Sequence, residues 1–551
     1  MKNKLIFLFI ILLAFAFRLY GFNWDSDQHL HPDERFLTMV ASDIDLPGKI
    51  SDYFDPQTST LSPYNHHYSF FVYGTLPLNL VKIVGQLIGK TDYDNLHFVG
   101  RFLSTLFDIG IIFLLYKISQ KIKPRQTSLA LLSAFLYAIM VLPIQLSHFF
   151  AVDTFLSFFL LLSFYFLISS PLNFFSVLAL SFSFAASLAC KVSALYFAPI
   201  IALVFSVSLF KNKKQFSKHL LILSLFPLFT PVFYRLLQPH LFVSANWFNW
   251  WLHPQFVQNI KELQSFSNPD SWFPPAVQWQ GTVPILFPLK NIFLWGLGLP
   301  LSLSLILSFF KNLKFLRRHF ILLLAYLWIL ILLVYQGSQV TKTMRYFLPI
   351  YPYLALLISF YLSSQKYFKN IFIKIFIITL FLIYPLSFMA IYSRPITRLT
   401  ASLWIYQNIP PGSVLATEHW DDYLPLYLPG FDPASYGNQT LELYNPDTAQ
   451  KWQKINQQLA LSDYIILSSN RLYGSIPKSP DHYPQSTKYY QDLFDGSLGF
   501  SKVAEFSSYP CFPPFGRSWF CFNDDSSEEA FTVYDHPKVL IFQKNFFVPI
   551  N

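Results

Sequence analysis

Long apolar runs separated by short polar stretches dominate the first 395 residues of the chain. A helix needs about 20 apolar residues to cross the roughly 30 Å hydrocarbon core of a bilayer, and it must satisfy its backbone hydrogen bonds internally. The pattern therefore predicts an α-helical polytopic membrane protein with about 11 transmembrane helices. The predicted spans lie near 4–20, 100–119, 127–147, 152–169, 172–189, 192–210, 219–237, 289–310, 320–336, 345–363 and 371–392.

Two apolar segments need a separate interpretation. The stretch 68–89 contains Pro77 and two glycines, so we expect it to lie at the membrane interface rather than to span. The N-terminal run resembles a signal peptide, with Lys2 and Lys4 ahead of it and a small-residue pattern at 14–16. Arg18 and the many later spans instead favour a retained signal-anchor.

Charge placement gives the chain an orientation. The chain is 53% hydrophobic and only 13% charged, with a formal net charge of +10. With the N-terminus inside, the cytoplasmic segments contain seventeen Lys and Arg residues and no acid, which is the bias that the positive-inside rule requires. The first outer loop (22–99) and the tail after residue 395 each carry a net charge of −6. The basic total therefore reflects membrane orientation and does not indicate nucleic-acid binding.

The composition changes to mixed polar sequence at about residue 395. We predict a transmembrane domain over 1–394, with large outer loops at 22–99 and 238–288, and an extracytoplasmic domain over 395–551. Strand-like runs near 414–417, 464–468 and 538–542 alternate with helical ones, which predicts an α/β or α+β fold. Cys511 and Cys521 are ten residues apart in this domain, and either a disulfide or two free thiols is compatible with the sequence.

The densest group of chemically active side chains follows the first span. Asp25, Asp27, His29, His31, Asp33, Glu34 and Arg35 lie within eleven residues. His31-Pro32-Asp33-Glu34 is typical of a helix start, with proline in the first turn and acids that complement the helix dipole. The alternative is a general base at the membrane surface. His31 and Asp33 are also weak candidates for binding a divalent metal, since no fixed ligand spacing supports a site.

Ionisable residues in or beside the spans are functional candidates because they are costly there. Asp153, Lys191 and Arg345 lie at outer span ends, where a helix cap, a snorkelling lysine and an interface anchor are the structural alternatives. Asp108 is mid-span, and we expect it to pair with a basic neighbour such as Arg101. The topology places Asp33, Glu34, Asp153, Lys191 and Arg345 on one face. Acids and cations gathered there suit a polyprenyl-phosphate sugar transferase.

Several short motifs carry a family resemblance. They are HPDE at 31–34, AVDTFLSFF at 151–159, the lysine-bearing turn at 189–193, RYFLPIYP at 345–352 and AFTVYDHPKV at 530–539. In this order they resemble the membrane C-type glycosyltransferases, specifically the family 39 group of protein O-mannosyltransferases and lipid A aminoarabinose transferases. The resemblance covers nearly the whole chain.

The resemblance implies a sugar transfer from a polyprenyl-phosphate donor with inversion at the anomeric carbon. Asp33, together with Glu34, would deprotonate the acceptor hydroxyl; Asp153 resembles the family's second acid and Lys191 its phosphate-contacting lysine. Arg345 matches less closely. Many relatives have a Lys-Pro-Pro motif before the second span, where this chain has His66 and His67. Either one of these histidines contacts the donor phosphate, or the donor is bound differently. A divalent metal is left open, and no other cofactor is indicated.

The leading hypothesis is thus a lipid-linked sugar transferase on the outer face of a bacterial or archaeal plasma membrane. Its acceptor is a protein hydroxyl, a glycan or a lipid. A transporter or flippase is one alternative, although no internal repeat and no paired broken helices are visible. A non-catalytic membrane scaffold with a glycan-binding tail is the other.

Overall fold

A computed structural model describes residues 1–169, 172–211 and 213–545 of the chain. These ranges are mostly helical, with a sheet in the C-terminal part. The helices up to residue 240 are α1 (Lys2–Leu19), α2 (Pro32–Asp43), α3 (Ile50–Phe54), α4 (Leu76–Leu87), α5 (Tyr93–Ile122), α6 (Thr127–Ala138), α7 (Val141–Ser147), α8 (Val152–Leu167), α9 (Phe174–Leu188), α10 (Ala198–Lys211) and α11 (Phe216–Leu237).

The later helices begin in the second large loop. They are α12 (Pro254–Ser265), α13 (Leu286–Asn291), α14 (Leu299–Asn312), α15 (Phe320–Ser338), α16 (Tyr351–Ser364), α17 (Ile371–Phe388), α18 (Thr397–Asn408), α19 (Ala449–Leu461), α20 (Pro484–Asp495) and α21 (Glu529–Thr532). The strands are β1 (Val414–Glu418), β2 (Gly437–Leu441), β3 (Tyr464–Leu467), β4 (Phe500–Phe506), β5 (Cys511–Phe512), β6 (Phe520–Cys521) and β7 (Val539–Lys544).

Six helical segments of the described chain are long and apolar enough to cross a membrane, and a bent pair raises the number to seven. Four further apolar helical segments are shorter than these, among them α8 and α9. A polytopic helical architecture is therefore confirmed, whereas the count of about 11 spans stays a prediction. The six are Tyr93–Ile122, Val192–Lys211, Phe216–Leu237, Phe320–Ser338, Met344–Ser364 and Ile371–Phe388.

Several predicted spans are interrupted by irregular backbone. The run 127–147 forms α6 and α7, which meet at an angle of 59°. The run 289–310 contains a π-helical turn at Ile292–Leu297 and then breaks at Gly298, whose φ of +79° suits a residue without Cβ. A 3₁₀ helix at Met344–Ile350 precedes α16. This last irregular segment contains Arg345.

The C-terminal part contains a five-stranded mixed sheet in the order β2-β1-β3-β7-β4. β1 runs parallel to β2 and β3, whereas β7 runs antiparallel to β3 and β4. The predicted mixture of strands and helices is thus confirmed. The last six residues of the predicted domain, 546–551, lie outside the described residues.

Strand alternation divides the buried side chains of the sheet between two faces. Leu415 and Ile541 pack with Ile405 of α18 on one face. Ala416 and Phe542 belong to the cluster on the other face, which includes residues of α19 and α20. A much larger apolar cluster joins the membrane helices and extends to Phe531 of α21. The C-terminal segment around α21 therefore packs against the helical part of the protein.

Candidate active site

Asp33 lies in the first turn of α2, just outside the first predicted span. The side chain of His31 caps this helix by accepting a hydrogen bond from the Glu34 backbone N–H at 3.2 Å, and Pro32 occupies the first helical position. The helix start expected from His31-Pro32-Asp33-Glu34 is therefore present. It orients the Asp33 carboxylate toward Arg345 of the 3₁₀ helix, and the two form an ion pair.

Asp153 and Lys191 form a second ion pair. Asp153 lies in the first turn of α8, and its Oδ1 is 3.1 Å from the Lys191 Nζ. Lys191 directly follows the turn after α9, and its ammonium lies 4.0 Å from the centre of the Tyr346 ring. Tyr346 is the residue after Arg345, and the Arg345 guanidinium lies 5.6 Å from the same ring. One tyrosine thus contacts both cations.

These four residues, Asp33, Arg345, Asp153 and Lys191, constitute the charge cluster of the site. Burial alone would raise the pKa of Asp33, but Arg345, His31 and Lys191 outweigh it, so the pKa is lowered. Burial raises the pKa of Tyr73, and Asp33 and Asp153 both add to this rise. The two acids and two cations therefore lie within electrostatic reach of one another, and the structure brings together four of the predicted site residues.

Glu34 lies in a different environment from its neighbour Asp33. Its two carboxylate oxygens accept hydrogen bonds from Arg101 at 2.5 and 3.0 Å, and one also accepts from the Phe150 N–H at 2.7 Å. Arg101 also donates to Asp25 at 2.9 Å, and all three charged side chains are fully buried. Burial raises the pKa of Glu34 although Arg101 opposes the rise. This geometry suits a group that holds α2 in place.

The expected pairing of Asp108 with Arg101 is wrong. Asp108 instead pairs with Arg18 of α1 at 2.5 Å and accepts a hydrogen bond from the Tyr137 hydroxyl at 2.6 Å. Arg101 turns toward the outer loop, where Asp25 and Glu34 neutralise it. The correction has a simple physical reason, because residues seven positions apart on one helix are separated by about 10 Å of rise.

His66 and His67 lie in the first outer loop. The His66 Nε2 is 2.9 Å from the Thr60 carbonyl oxygen, and His67 ends a short 3₁₀ helix with a φ of +69°. Within residues 1–169, 172–211 and 213–545, no hydrogen bond or ion pair joins either histidine to the charge cluster. Their predicted phosphate contact stays a prediction.

The metal candidates do not form a ligand set in the part of the chain that the structure describes. No group of three or more His, Cys, Asp or Glu side chains there is arranged to hold a metal ion. Asp33 is paired with Arg345, and His31 uses its Nδ1 to cap α2. Burial lowers the pKa of His31 to about 4, so the ring is neutral at physiological pH. In the described residues, His31 and Asp33 are thus engaged in a helix cap and an ion pair and belong to no group of three metal ligands.

The segment Asp524–His536 contributes contacts that the charge pattern of the sequence did not predict. The Tyr534 ring lies 4.3 Å from the His31 ring, and the Glu528 carboxylate accepts a hydrogen bond from the Met344 N–H at 2.7 Å. Burial raises the pKa of Glu528 to about 8. This segment therefore contacts both the residue before Arg345 and the cap of the helix that carries Asp33.

Asp535 and His536 hold the same segment against the membrane helices. Asp535 accepts hydrogen bonds from Gln145 of α7 at 3.0 Å and from the Tyr392 hydroxyl at 2.8 Å. His536 lies between Asp535 and Asp524, at 2.5 and 3.0 Å. Burial opposes protonation of this ring, but the two carboxylates raise the pKa of His536 to about 10. The resemblance of 530–539 was the only indication of this role in the sequence.

A further ion-pair network links α2 to the region of the sheet. Arg35 donates to Asp422 at 2.7 Å, and Arg398 of α18 pairs with Asp421 and Asp422 at 2.7 and 3.0 Å. Arg471 pairs with Glu529 at 2.7 Å. Cys511 and Cys521 form a disulfide that joins β5 and β6. The start of α2 is thus held by contacts from both parts of the protein.

Comparison with solved structures identifies the fold. The Archaeoglobus fulgidus oligosaccharyltransferase in its apo form is 13% identical to this chain, with a TM-score of 0.51 over 98% of this chain and 88% of that one. ArnT from Cupriavidus metallidurans, solved with undecaprenyl phosphate, is 12% identical, with a TM-score of 0.47 over 97% of this chain and 98% of that one. No protein-family model and no curated protein matches the sequence.

At such identities the likeness concerns the fold. The chain shares the fold of the Archaeoglobus fulgidus oligosaccharyltransferase, which agrees with the C-type fold expected from the sequence resemblance.

Proposed function

We propose that this protein is a glycosyltransferase that moves a sugar from a polyprenyl-phosphate-linked donor to an acceptor hydroxyl at the outer face of the plasma membrane. The acceptor belongs to a protein, a glycan or a lipid. The fold supports this proposal, and so do the sequence motifs that resemble the family 39 group. The observation that carries it is the charge cluster, in which two carboxylates and two cations meet at the starts of α2 and α8.

Each member of the cluster has a chemical task in such a reaction. Asp33 takes the proton from the acceptor hydroxyl, whose oxygen then attacks the anomeric carbon. The bond from that carbon to the phosphate oxygen breaks, and its electron pair leaves with the polyprenyl phosphate. Lys191 and Arg345 stabilise the negative charge on the departing phosphate. Asp153 holds Lys191 in position through their ion pair.

In the proposed reaction, Arg345 exchanges its ion-pair partner Asp33 for the donor phosphate. Without donor, each cation is neutralised by a carboxylate, and Arg345 lowers the pKa of Asp33. A bound phosphate competes for Arg345, and a planar guanidinium suits phosphate oxygens well. Withdrawal of Arg345 raises the pKa of Asp33 and makes it a stronger base. Donor binding thus activates the base.

Glu34 has a positioning role in this proposal. Its carboxylate oxygens are engaged by Arg101 and the Phe150 N–H, so Asp33 is the acid of this pair that remains able to accept a proton from substrate. The Glu34–Arg101 contact fixes the first turn of α2 against α5.

The proposed topology has about 11 spans, with the N-terminus inside and residues 395–551 outside. The seventeen cytoplasmic cations support this orientation. The Cys511–Cys521 disulfide supports an exterior tail, because disulfides persist in oxidising compartments. A reporter fused after residue 395 tests the orientation. Activity of an exterior-dependent reporter is expected, and fluorescence of a cytoplasm-dependent one would contradict it.

A transfer assay tests the catalytic assignment. The purified protein is given polyprenyl-phosphate-linked sugars and a panel of acceptors, and Asp33→Asn is expected to lower the rate about 10²- to 10⁴-fold. Asp153→Asn should lower it as well, whereas Asp270→Asn, on the exposed second loop, should leave it unchanged. Full transfer activity in folded Asp33→Asn and Asp153→Asn proteins, or none in the wild type, would refute the proposal.

A further inference from the structure

The loop 244–252 exposes an unusual amount of aromatic surface. Its nine residues, SANWFNWWL, contain four aromatic rings and no charge. Phe248 is 94% exposed and Trp251 is 80% exposed, while Trp250 and Trp247 are 42% and 36% exposed. Large apolar side chains at this exposure are costly in water when they are contiguous, so the patch requires a partner.

The loop is an ordered structure built around Arg235. This residue, at the end of α11, is only 2% exposed, and it donates hydrogen bonds to the carbonyl oxygens of Asn249, Ser244 and Asn246 at 2.6, 2.6 and 2.9 Å. Its guanidinium lies 5.2 and 5.3 Å from the ring centres of Trp247 and Trp250. The cation thus organises the loop from inside.

Hydrogen bonds within and beside the loop fix its backbone. Asn246 Oδ1 accepts from the Phe248 N–H at 3.0 Å, and Asn249 Oδ1 accepts from the Trp251 N–H at 3.1 Å. The Trp251 carbonyl oxygen accepts from the Val243 N–H at 2.9 Å. These hydrogen bonds shape the loop, and its most exposed large side chains are the rings of Phe248 and Trp251.

The position of the loop identifies the partner. It begins seven residues after the end of α11, which is apolar enough to span and is only 17% buried over its most apolar window. Two aromatic residues of α3 lie beside it: the Phe54 and Trp247 ring centres are 5.4 Å apart, and the Tyr53 hydroxyl donates to the Leu236 carbonyl oxygen at 2.6 Å. The patch is thus continuous with the exposed side of a spanning helix.

We propose that the loop 244–252 inserts its aromatic rings into the interfacial region of the lipid bilayer. Tryptophan is enriched at membrane interfaces because its ring is apolar and its N–H is polar. The most exposed ring of the loop favours the lipid interface over a sugar-binding platform, because sugar hydroxyls need hydrogen-bonding partners. Phe248, the most exposed of the four, supplies none. The inserted loop fixes the depth of α11 and of the second outer loop.

The test places a fluorescent probe at the tip of the loop. The full-length Phe248→Cys protein, with its disulfide intact, is labelled with an environment-sensitive fluorophore in lipid nanodiscs; the other thiol, Cys190, is fully buried. Leu461→Cys at the end of α19, 65% exposed, is the matched control. Brominated phosphatidylcholine should quench the probe at position 248 by roughly half or more and leave the control unchanged.

Two results would overturn the proposal. One is quenching of the probe at 248 by aqueous iodide and not by brominated lipid, which places the loop in water. The other is protection of the probe from iodide by added oligosaccharide, which assigns the loop to a glycan. Trp251→Cys provides a second labelling position if Phe248→Cys does not fold. Since no sugar transfer is measured, the outcome is independent of the proposed function.

Discussion

Asp33 and Glu34 are neighbours in the sequence, yet their carboxylates belong to two ion-pair clusters of opposite character. The side chains of Asp33 and Arg345 are 20% and 18% exposed. Glu34, Arg101 and Asp25 are fully buried. The two acids therefore differ in access to solvent, although they carry the same charge and are adjacent in the sequence.

The two clusters also differ in the free-energy cost of losing one partner of an ion pair. A fully buried charge without a counter-ion pays a large desolvation cost, whereas a partly exposed one is hydrated. In the proposed reaction, the more exposed cluster exchanges an internal partner for the donor phosphate. The buried cluster cannot do so without unfolding its surroundings. Four predictions, from the largest effect to the smallest, test this difference.

Removal of the arginine from each cluster should separate them most clearly. Arg101→Leu leaves Asp25 and Glu34 buried without a counter-ion, and we expect it to lower the free energy of unfolding by about 3–5 kcal/mol. Arg345→Leu should lower it less, because Asp33, at 20% exposed, is partly hydrated. Thermal unfolding of both variants in the same detergent measures the difference. Equal losses would contradict the distinction between the clusters.

Replacement of Glu34 should affect mainly stability, whereas replacement of Asp33 should affect mainly transfer activity. Glu34→Gln weakens a charged hydrogen-bond network, so we expect a loss of about 1.5–3 kcal/mol in stability. Asp33→Asn should lower stability less than Glu34→Gln does, while it lowers the transfer rate about 10²- to 10⁴-fold. Unfolding and transfer are measured on the same preparations. A folded Glu34→Gln protein that has lost all transfer would instead support the original prediction that both acids are catalytic.

Replacement of Lys191 should weaken donor binding more than it lowers the stability of the protein. Its replacement by glutamine removes a charged contact to the donor phosphate, which we expect to raise the KM for donor by roughly tenfold or more. Lys290→Gln, at an exposed position of α13, is the control. KM is measured against donor concentration at saturating acceptor. An unchanged KM with a lowered kcat would assign Lys191 to the transition state alone.

A further buried cluster consists of His536, Asp524 and Asp535. Unlike an arginine, His536 changes its charge within an accessible pH range. Its pKa is about 10 in the folded protein against about 6.5 in an unfolded chain, so its stabilising effect is complete below pH 6.5 and lost as the pH rises toward 10. Between pH 7 and 8 we expect a loss on the order of 1 kcal/mol. Thermal unfolding across this range measures it. His536→Gln should flatten the slope, whereas a slope that persists would exclude this group as its origin.

The sequence supported the placement of the charge cluster but not its pairings. Hydropathy and charge bias give the depth and side of a residue, which sufficed to group Asp33, Asp153, Lys191 and Arg345. Partners depend on how helices pack, and that information is long-range. Arg18 and Asp108 are ninety positions apart, and no periodicity in either helix indicates their contact.

The contacts of the C-terminal segment could not be predicted from the sequence, because they too are long-range. Strand alternation indicated the sheet, since β1, β3 and β7 are apolar runs with polar boundaries. Gln145 and Asp535 are 390 positions apart, so their contact depends on the whole fold. The scarcity of acids between residues 100 and 395 was informative for Asp153. Glu528 and Asp535 lie in an acidic tail, where they resembled ordinary surface residues.

The hydrogen bond from Met344 to Glu528 has a consequence for biosynthesis. The two residues are 184 positions apart, and Glu528 is translated after every apolar helix of the described chain. At ribosomal speeds of about 5–20 residues per second, roughly 10–40 s pass between the synthesis of Met344 and that of Glu528, which binds its backbone N–H. The proposed catalytic centre therefore matures last, which delays activity until the C-terminal part has emerged and docked.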